Sequence, residues 1–257
     1  MNDPIMPALF IGHGNPMNAI EDNEFSLAWQ EAARRIPKPE AILCVSAHWE
    51  THGTQVTAME KPRTIHDFYG FPRALFEKQY PAPGSPELAE RIIQRVGESR
   101  VKPDHAWGLD HGAWSVLCRM YPEADVPVIQ LSLDRSLGAA NHYALGQQLR
   151  QLRQEGVLIV GSGNIVHNLG RMVWEDEAFD WAIEFDAFVA RSILEHQHDP
   201  IIHYEKQGTP GLLSVNTAEH YFPLLYILGV IGEDESVSFF AEKVWGGSLS
   251  MRCVRIG

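Results

Sequence analysis

The chain has 257 residues, of which 45% are hydrophobic and 21% are charged, a balance that is typical of a soluble globular protein. Its net charge of −12 comes without a basic stripe, so nucleic acid is not expected as a partner. No apolar run reaches the roughly 18 residues that cross a bilayer. The N-terminal residues also lack the basic region of a signal peptide, so we expect a cytoplasmic protein without membrane contact.

The three cysteines, Cys44, Cys118 and Cys253, are far apart and form no C-x-x-C pair. This spacing argues against disulfides and against a thiolate zinc site. Cys44 and Cys253 lie inside apolar runs, where we expect them to be small buried side chains.

Six short β-rich runs predict strands, and three of them are almost wholly apolar, as in strands that are covered on both faces. In chain order these runs are residues 7–12, 41–47, 54–59, 126–133, 157–162 and 248–256.

Helical patterns lie between the strands. Residues 85–96 begin with Ser85-Pro86, an N-cap followed by proline at the first helical position. Apolar residues repeat at three- and four-residue steps over 136–153 and 177–196. Strands that alternate with helices predict an α/β sandwich with a mostly parallel or mixed central sheet flanked by helices. With neither a linker nor a repeat, we expect one domain over residues 1–257. The sequence leaves its oligomeric state open.

Residues 60–86 are rich in proline, glycine and aromatic residues. We expect this stretch to be an ordered excursion that walls a pocket, with His66 in "TIHDFYGFP" as one candidate lining residue.

Three of the twelve histidines follow predicted strands: His13 in "GHGNP", His48 in "CVSAHWE" and His167 in "GSGNIVHN". In open α/β sheets, ligands bind beyond the carboxyl ends of parallel strands. We therefore expect these rings to converge on one edge of the sheet, where imidazole nitrogens can bind a metal. The alternative for any one of them is a structural histidine that is satisfied by hydrogen bonds.

The stretch "NTAEHYFPLL" contains a proline, which a helix tolerates mainly in its first turn. This predicts a helix start near 218–221, with Asn216 or Thr217 as the N-cap. Neighbouring side chains on a helix point about 100° apart. Only one of Glu219 and His220 is therefore expected to face a metal.

Other local motifs argue against several enzyme classes. The chain has neither H-E-x-x-H nor a P-loop, and "GSGN" at 161–164 does not continue as the dinucleotide fingerprint. Ser162 is not in a G-x-S-x-G elbow, so it is disfavoured as a nucleophile. His196, His198 and His203, in "EHQHDPIIH", indicate a solvated helix end, with a metal-binding tract as the alternative.

Taken together, eight stretches resemble those of one known family. They recur in the same order in the class III extradiol ring-cleavage dioxygenases, and most closely in the DOPA dioxygenase branch with its bacterial members. The resemblance covers Ala8 to Ile256 and rests on "GHGNPM", "VSAHWET", "TIHDFYGFP", "YPAPGSPELA", "GLDHGAW", "GSGNIVHNL", "TAEHYFPLLY" and "GSLSM".

The resemblance implies one divalent metal per chain and O2-dependent cleavage of a catechol ring beside its two hydroxyls. Position by position, His13 and His48 match metal-binding histidines of the family. The third ligand is His220 or Glu219, and we favour His220, since an imidazole there also suits zinc. We expect Fe(II) to support ring cleavage and Zn(II) to occupy the site after purification.

The resemblance also implies two further histidines at the reaction site. His167 matches a histidine placed at the metal for acid–base work, and it is a fourth ligand in the alternative of a tetrahedral zinc site. His111, in "GLDHGAW", matches a histidine near the substrate. Asn164 and Asn168 are candidates for orienting His167.

Two other functions fit the same ligand set. A zinc hydrolase would use the metal to activate water. A non-enzymatic metal-binding module would keep the metal without the chemistry. Oxygen consumption with a catechol separates the dioxygenase from both.

Overall fold

A computed structural model describes residues 5–232 and 235–257. The strands in this part of the chain are β1 Ala8–Gly12, β2 Ala41–Thr51, β3 Thr54–Thr57, β4 Val101–Asp104, β5 Val128–Asp134, β6 Val157–Gly163, β7 Val237–Phe240, β8 Val244–Trp245, β9 Leu249–Ser250 and β10 Cys253–Ile256. The α-helices are α1 Glu24–Arg34, α2 Arg73–Glu77, α3 Pro86–Val96, α4 His111–Met120, α5 Ala139–Leu149, α6 Asp180–Leu194, α7 His198–Ile202, α8 Gly208–Ser214 and α9 Phe222–Gly229. None of the helices described is long and apolar enough to cross a bilayer.

Eight strands form one mixed sheet in the order β4-β3-β5-β2-β6-β1-β10-β7. Its centre is parallel, because β2 pairs in parallel with β5 and β6, and β1 pairs in parallel with β6. Antiparallel pairing begins where β3 joins β5 and where β10 joins β1. The expectation of a mostly parallel or mixed sheet is confirmed, and the carboxyl ends of β1, β2 and β6 share one edge.

Helices cover both faces of this sheet. Along β2, Leu43 and Val45 belong to one hydrophobic cluster, with residues of α3, α5, α6 and α9. Ile42 and Cys44 belong to the opposite cluster, with residues of α1 and α4. The central strands are therefore apolar at consecutive positions, as the sequence predicted.

The predicted helices are present, but several of their ends differ from the predicted ones. α3 begins as expected, since the Ser85 hydroxyl accepts a hydrogen bond from the Leu88 N–H at 3.2 Å. α6 begins at Asp180 rather than near 177, because Phe179 N–H donates to the Gly247 carbonyl and Gly247 N–H donates to the Glu177 carbonyl. The helix predicted over 136–153 is α5 followed by a 3₁₀ segment, Arg150–Glu155.

The single strand predicted over 248–256 is wrong. β9 pairs with β8, whereas β10 joins the large sheet, and Met251 N–H between them donates to the Lys243 carbonyl. The sequence analysis also missed β4, which contains Pro103. Proline is tolerated there because β4 is an edge strand of the sheet.

Candidate metal centre and active site

Three histidine rings meet at the carboxyl edge of the sheet. His13 follows β1, His48 lies in the irregular part of β2, and His220 lies in the turn before α9. One donor nitrogen from each lies within 4.8 Å of the other two. The Nε2 atoms of His13 and His48 are 3.2 Å apart. Two nitrogens that share one ion at about 2.0–2.1 Å are separated by roughly 3 Å, so the residues present fit a metal.

The glycines beside His13 allow the chain to turn at this edge. Gly14 has a φ of +58°, in the left-handed region that favours glycine. A Cβ on Gly12 would lie 2.7 Å from the carbonyl carbon of Met251, so the strand end packs directly against that backbone. Both glycines of "GHGNP" therefore have a structural role that brings His13 into the site.

Ser162 fixes the tautomer of His13. The Ser162 hydroxyl donates to the Gly112 carbonyl at 2.6 Å, so it accepts from Nδ1–H of His13 at 3.0 Å. The proton of His13 is thereby on Nδ1, and the lone pair of Nε2 is left for a metal. The sequence analysis considered Ser162 only as a nucleophile and missed this role.

Glu219 contacts His220 rather than the other two rings. Its Oε1 atom accepts from Nδ1–H of His220 at 2.9 Å and from the Thr217 hydroxyl at 2.9 Å. This leaves Nε2 of His220 unprotonated, as a metal ligand requires. The helix start predicted near 218–221 lies one residue later, since α9 begins at Phe222, and Pro223 is in its first turn as expected. The predicted caps Asn216 and Thr217 are wrong, because the N-cap residue is Tyr221 and it makes no side-chain hydrogen bond.

His111 is the first residue of α4, whose N-terminus is capped by the buried side chain of Asp110. Its ring lies over that of His48, with centroids 3.8 Å apart. The Asp67 carboxylate accepts from the His111 backbone N–H at 2.9 Å, and its other oxygen lies 2.9 Å from Nδ1 of the same residue. Asp67 thus binds the backbone of His111 and lies beside its ring.

His167 lies against His220. It stacks on His220, with centroids 3.5 Å apart and ring planes at 6°. The proposed role of Asn164 and Asn168 in orienting this ring is wrong. Their side-chain amides donate instead to the carbonyls of Ser250 and Leu213, because these amides hold neighbouring loops together.

All five candidate histidines line one cavity of about 420 Å³, within the roughly 300–1,000 Å³ of small-molecule sites. Its other walls are largely apolar and aromatic, and include Phe68, Tyr69, Phe71, Leu169, Trp174 and Trp245. The excursion over residues 60–86 does supply part of the wall.

His66 is not a lining residue of this cavity, since its Nε2 donates to the Lys78 carbonyl at 2.9 Å. Within the described residues, the histidines of "EHQHDPIIH" join no potential metal group. His198 instead hydrogen-bonds the Tyr143 hydroxyl at 3.0 Å.

Comparison with known proteins identifies the family of the chain. Residues 7–249 match the protein family described as the catalytic LigB subunit of aromatic ring-opening dioxygenase. The chain belongs to this family. The resemblance seen in the sequence is therefore confirmed.

The sequences of two named relatives align with this chain over nearly its full length. The chain is 47% identical to the 4,5-DOPA dioxygenase extradiol of Escherichia coli K12, over 100% of this chain and 97% of the relative. It is 40% identical to the 4,5-DOPA dioxygenase extradiol of Beta vulgaris, over 96% and 95% of the two chains. A crystal structure of an uncharacterized Escherichia coli K12 protein superposes with a TM-score of 0.86 at 45% identity, covering 98% of this chain and all of that one.

Burial favours the neutral form of four histidines in this cavity, His13, His48, His167 and His220. It lowers the pKa of His13 and His220 well below the usual value, and the neighbouring rings lower it further. Burial also lowers the pKa of His48 to about 3 and that of His167 to about 4. Because a neutral imidazole is the form that binds a metal, the site is ready for one near neutral pH.

Asp67 remains ionised beside these rings. Burial raises the pKa of its carboxyl, but the hydrogen bond and charge of His111 outweigh burial and bring it below its usual range. Sequence analysis missed Asp67, although the residue stands next to His66 in the stretch expected to wall the pocket.

Replacing Ser162 by alanine should weaken metal binding about 10- to 100-fold, the usual effect of losing a hydrogen bond that orients a ligand. The measurement is a metal titration of the apoprotein. Ser115→Ala is the matched control, because Ser115 is similarly buried and its hydroxyl has no hydrogen-bond partner among the described residues. Equal affinities of the two variants would show that Ser162 does not support His13.

Proposed function

We propose that this chain is an extradiol dioxygenase that uses O2 to open the ring of a catechol, such as DOPA, beside its hydroxyl groups. The observation that carries the proposal is the convergence of three imidazoles, from His13, His48 and His220, at the base of an aromatic cavity. Family membership and the DOPA dioxygenase names of the relatives support it. We further propose that residues 1–257 act as one catalytic domain.

The three converging histidines are the proposed metal ligands. Three protein ligands on one side of an ion leave positions open on the other side, which is the mark of a catalytic site. Glu219 is assigned to orient His220 through Nδ1, since its carboxylate already accepts two hydrogen bonds. When bound, a redox-active ion supplies a docking point for the two catechol oxygens and a path for electrons from the ring to O2.

The remaining work falls to side chains of the cavity. Its aromatic walls bind the planar ring and exclude water. His167 is proposed to accept a proton from a catechol hydroxyl and to return a proton later, since a neutral imidazole can act as a base. His111, held by Asp67, lies against His48 in the lining of the cavity and is proposed to contact the substrate there.

The active metal is proposed to be Fe(II), with Zn(II) present after purification. Zinc competes well at nitrogen ligands because affinity generally rises from iron to copper and remains high at zinc. Zn(II) has no accessible redox step and cannot support the oxygen chemistry.

The test is to remove the metal, restore Fe(II) without air, and record oxygen uptake and product absorbance with DOPA and other catechols. We expect oxygen-dependent cleavage by the iron form and little by the zinc form. If the iron form consumes no oxygen while the zinc form hydrolyses an amide or ester, the protein is a hydrolase.

The choice of third ligand makes a separate prediction. His220→Ala removes a donor nitrogen, whereas Glu219→Gln keeps a side-chain oxygen that can accept from Nδ1–H of His220. We therefore expect His220→Ala to lose more metal than Glu219→Gln in parallel metal analyses. The reverse order would assign the third position to Glu219.

We also propose that the protein acts in the cytoplasm on small molecules, without nucleic acid or membrane as partners. The three cysteines are all free and buried, as is usual in a reducing compartment. The net charge of −12 disfavours binding to anionic polymers and surfaces.

A further inference from the structure

Three large apolar side chains are exposed around the opening of the active-site cavity. Tyr69 is 92% exposed, Trp174 is 76% exposed and Leu169 is 58% exposed. They come from two distant segments, the excursion after β3 and the segment after β6, yet all three line the same cavity as the histidines. Single exposed apolar residues are ordinary on a protein surface, but a group at one opening marks a binding surface.

Aromatic groups connect this opening with the catalytic histidines. Phe68 packs edge-on against His111, with centroids 5.6 Å apart, and against Phe71 at 5.4 Å. On the other wall, Trp245 packs edge-on against the exposed Trp174 at 6.2 Å. A group attached to a catechol ring at the histidines can therefore extend outward along aromatic surface.

Among the described residues, the cavity wall beyond the histidines carries no side-chain cation that could pair with an anionic substituent. Over residues 5–232 and 235–257, its lining contains no lysine or arginine, and its one carboxylate is that of Asp67. Arg171, which is adjacent in sequence to the lining residue Met172, does not line the cavity itself. A carboxylate carried into this space would lose water without gaining a cation, which is unfavourable. The net charge of −12 adds to this effect.

We propose that Tyr69, Leu169 and Trp174 form a second binding subsite, the rim subsite, for an apolar and uncharged substituent of the catechol. The substrates handled best are then catechols with a neutral hydrocarbon or aryl substituent, ahead of zwitterionic DOPA and well ahead of ring carboxylates. This inference rests on the proposed function, because it takes the catechol ring to lie at the histidines.

The first test uses the unaltered, iron-loaded protein and a series from catechol through 4-methyl-, 4-ethyl- and 4-propylcatechol to 4-butylcatechol. We expect kcat/KM to rise about two- to four-fold per added methylene, the range for partial to full burial, mainly through KM. The methyl ester of 3,4-dihydroxybenzoate should exceed the free acid by at least ten-fold. No increase along the series, or a preference for the acid, overturns the proposal.

The second test locates the subsite. Trp174→Ala and Leu169→Ala should each reduce the ratio of kcat/KM for 4-butylcatechol to that for catechol. Leu212→Ala should leave the ratio unchanged, because Leu212 is 56% exposed, much like Leu169, but does not line the cavity. An unchanged ratio in both rim variants, or an equal loss in the control, overturns the assignment.

Calorimetric measurement of the binding of the same series to the zinc form tests the rim subsite separately from the proposed dioxygenase function. If affinity increases along the series and this increase is abolished in the rim variants, the result supports the subsite even if no catechol is turned over. Turnover of catechol and DOPA without any chain-length dependence leaves the proposed function intact and removes the rim subsite.

Discussion

His13→Ala and His48→Ala should each release most of the bound metal and abolish ring cleavage. Each variant removes one of the nitrogens that converge within 4.8 Å, and the alanine side chain offers no donor atom in its place. We expect metal affinity to fall by more than the roughly 10- to 100-fold that losing an orienting hydrogen bond costs. The measurement is metal content after dialysis, together with the rate of oxygen uptake.

His198→Ala is the matched control for these variants. His198 is half-buried and hydrogen-bonded to Tyr143, but belongs to no potential metal group among the described residues. It should keep its metal. Thermal unfolding of the metal-free proteins checks that His13→Ala, which leaves a buried gap, still folds. Full metal occupancy in folded His13→Ala and His48→Ala would falsify the ligand assignment.

The position of the site could be predicted from the sequence because it depends on a simple property of parallel strands. Runs ending at His13 and near His48 and His167 are apolar on both faces, which identifies them as central strands. The carboxyl ends of adjacent parallel strands share an edge. His220 and His111, which the resemblance had assigned to the site, reach that edge through the turn before α9 and the start of α4.

The supporting residues could not be predicted in this way, since each depends on contacts between distant parts of the chain. Ser162 reaches His13 across 149 positions. Asp67 reaches His111 across 44 positions, from a stretch with little regular structure. Asn164 binds the Ser250 carbonyl across 86 positions, so its proximity to His167 in sequence was misleading. Local spacing carries no information about such partners.

The break between β9 and β10 shows the same limit for the fold. The residues of 248–256 are suited to a strand throughout, but Met251 N–H donates to Lys243 and Ser250 N–H donates to the Val166 carbonyl. These tertiary bonds bring Leu249 to the cavity and leave Cys253 in the sheet core. Strand propensity predicted the type of element here, whereas tertiary contacts determined where it is divided.

His167→Ala should separate catalysis from metal binding. His167 stacks face-to-face on His220, and its nitrogens group with donor atoms of Glu219 and His220 rather than with those of His13 and His48. With burial lowering its pKa to about 4, the ring is neutral near pH 7 and can accept a proton. Proton transfer by a positioned group is worth roughly 100- to 10,000-fold in rate. We expect kcat to fall within that range while metal content and catechol binding are largely retained.

Added imidazole provides the decisive comparison for this variant. If His167 transfers protons, free imidazole can occupy the space left by the ring and restore part of the lost rate in His167→Ala, with little effect on the unaltered protein. A merely structural role predicts no such rescue, because a diffusing base does not repair a displaced His220. Loss of the metal in His167→Ala would instead identify His167 as a fourth ligand. In that case imidazole would restore metal affinity, rather than increase the rate of the variant at full metal occupancy.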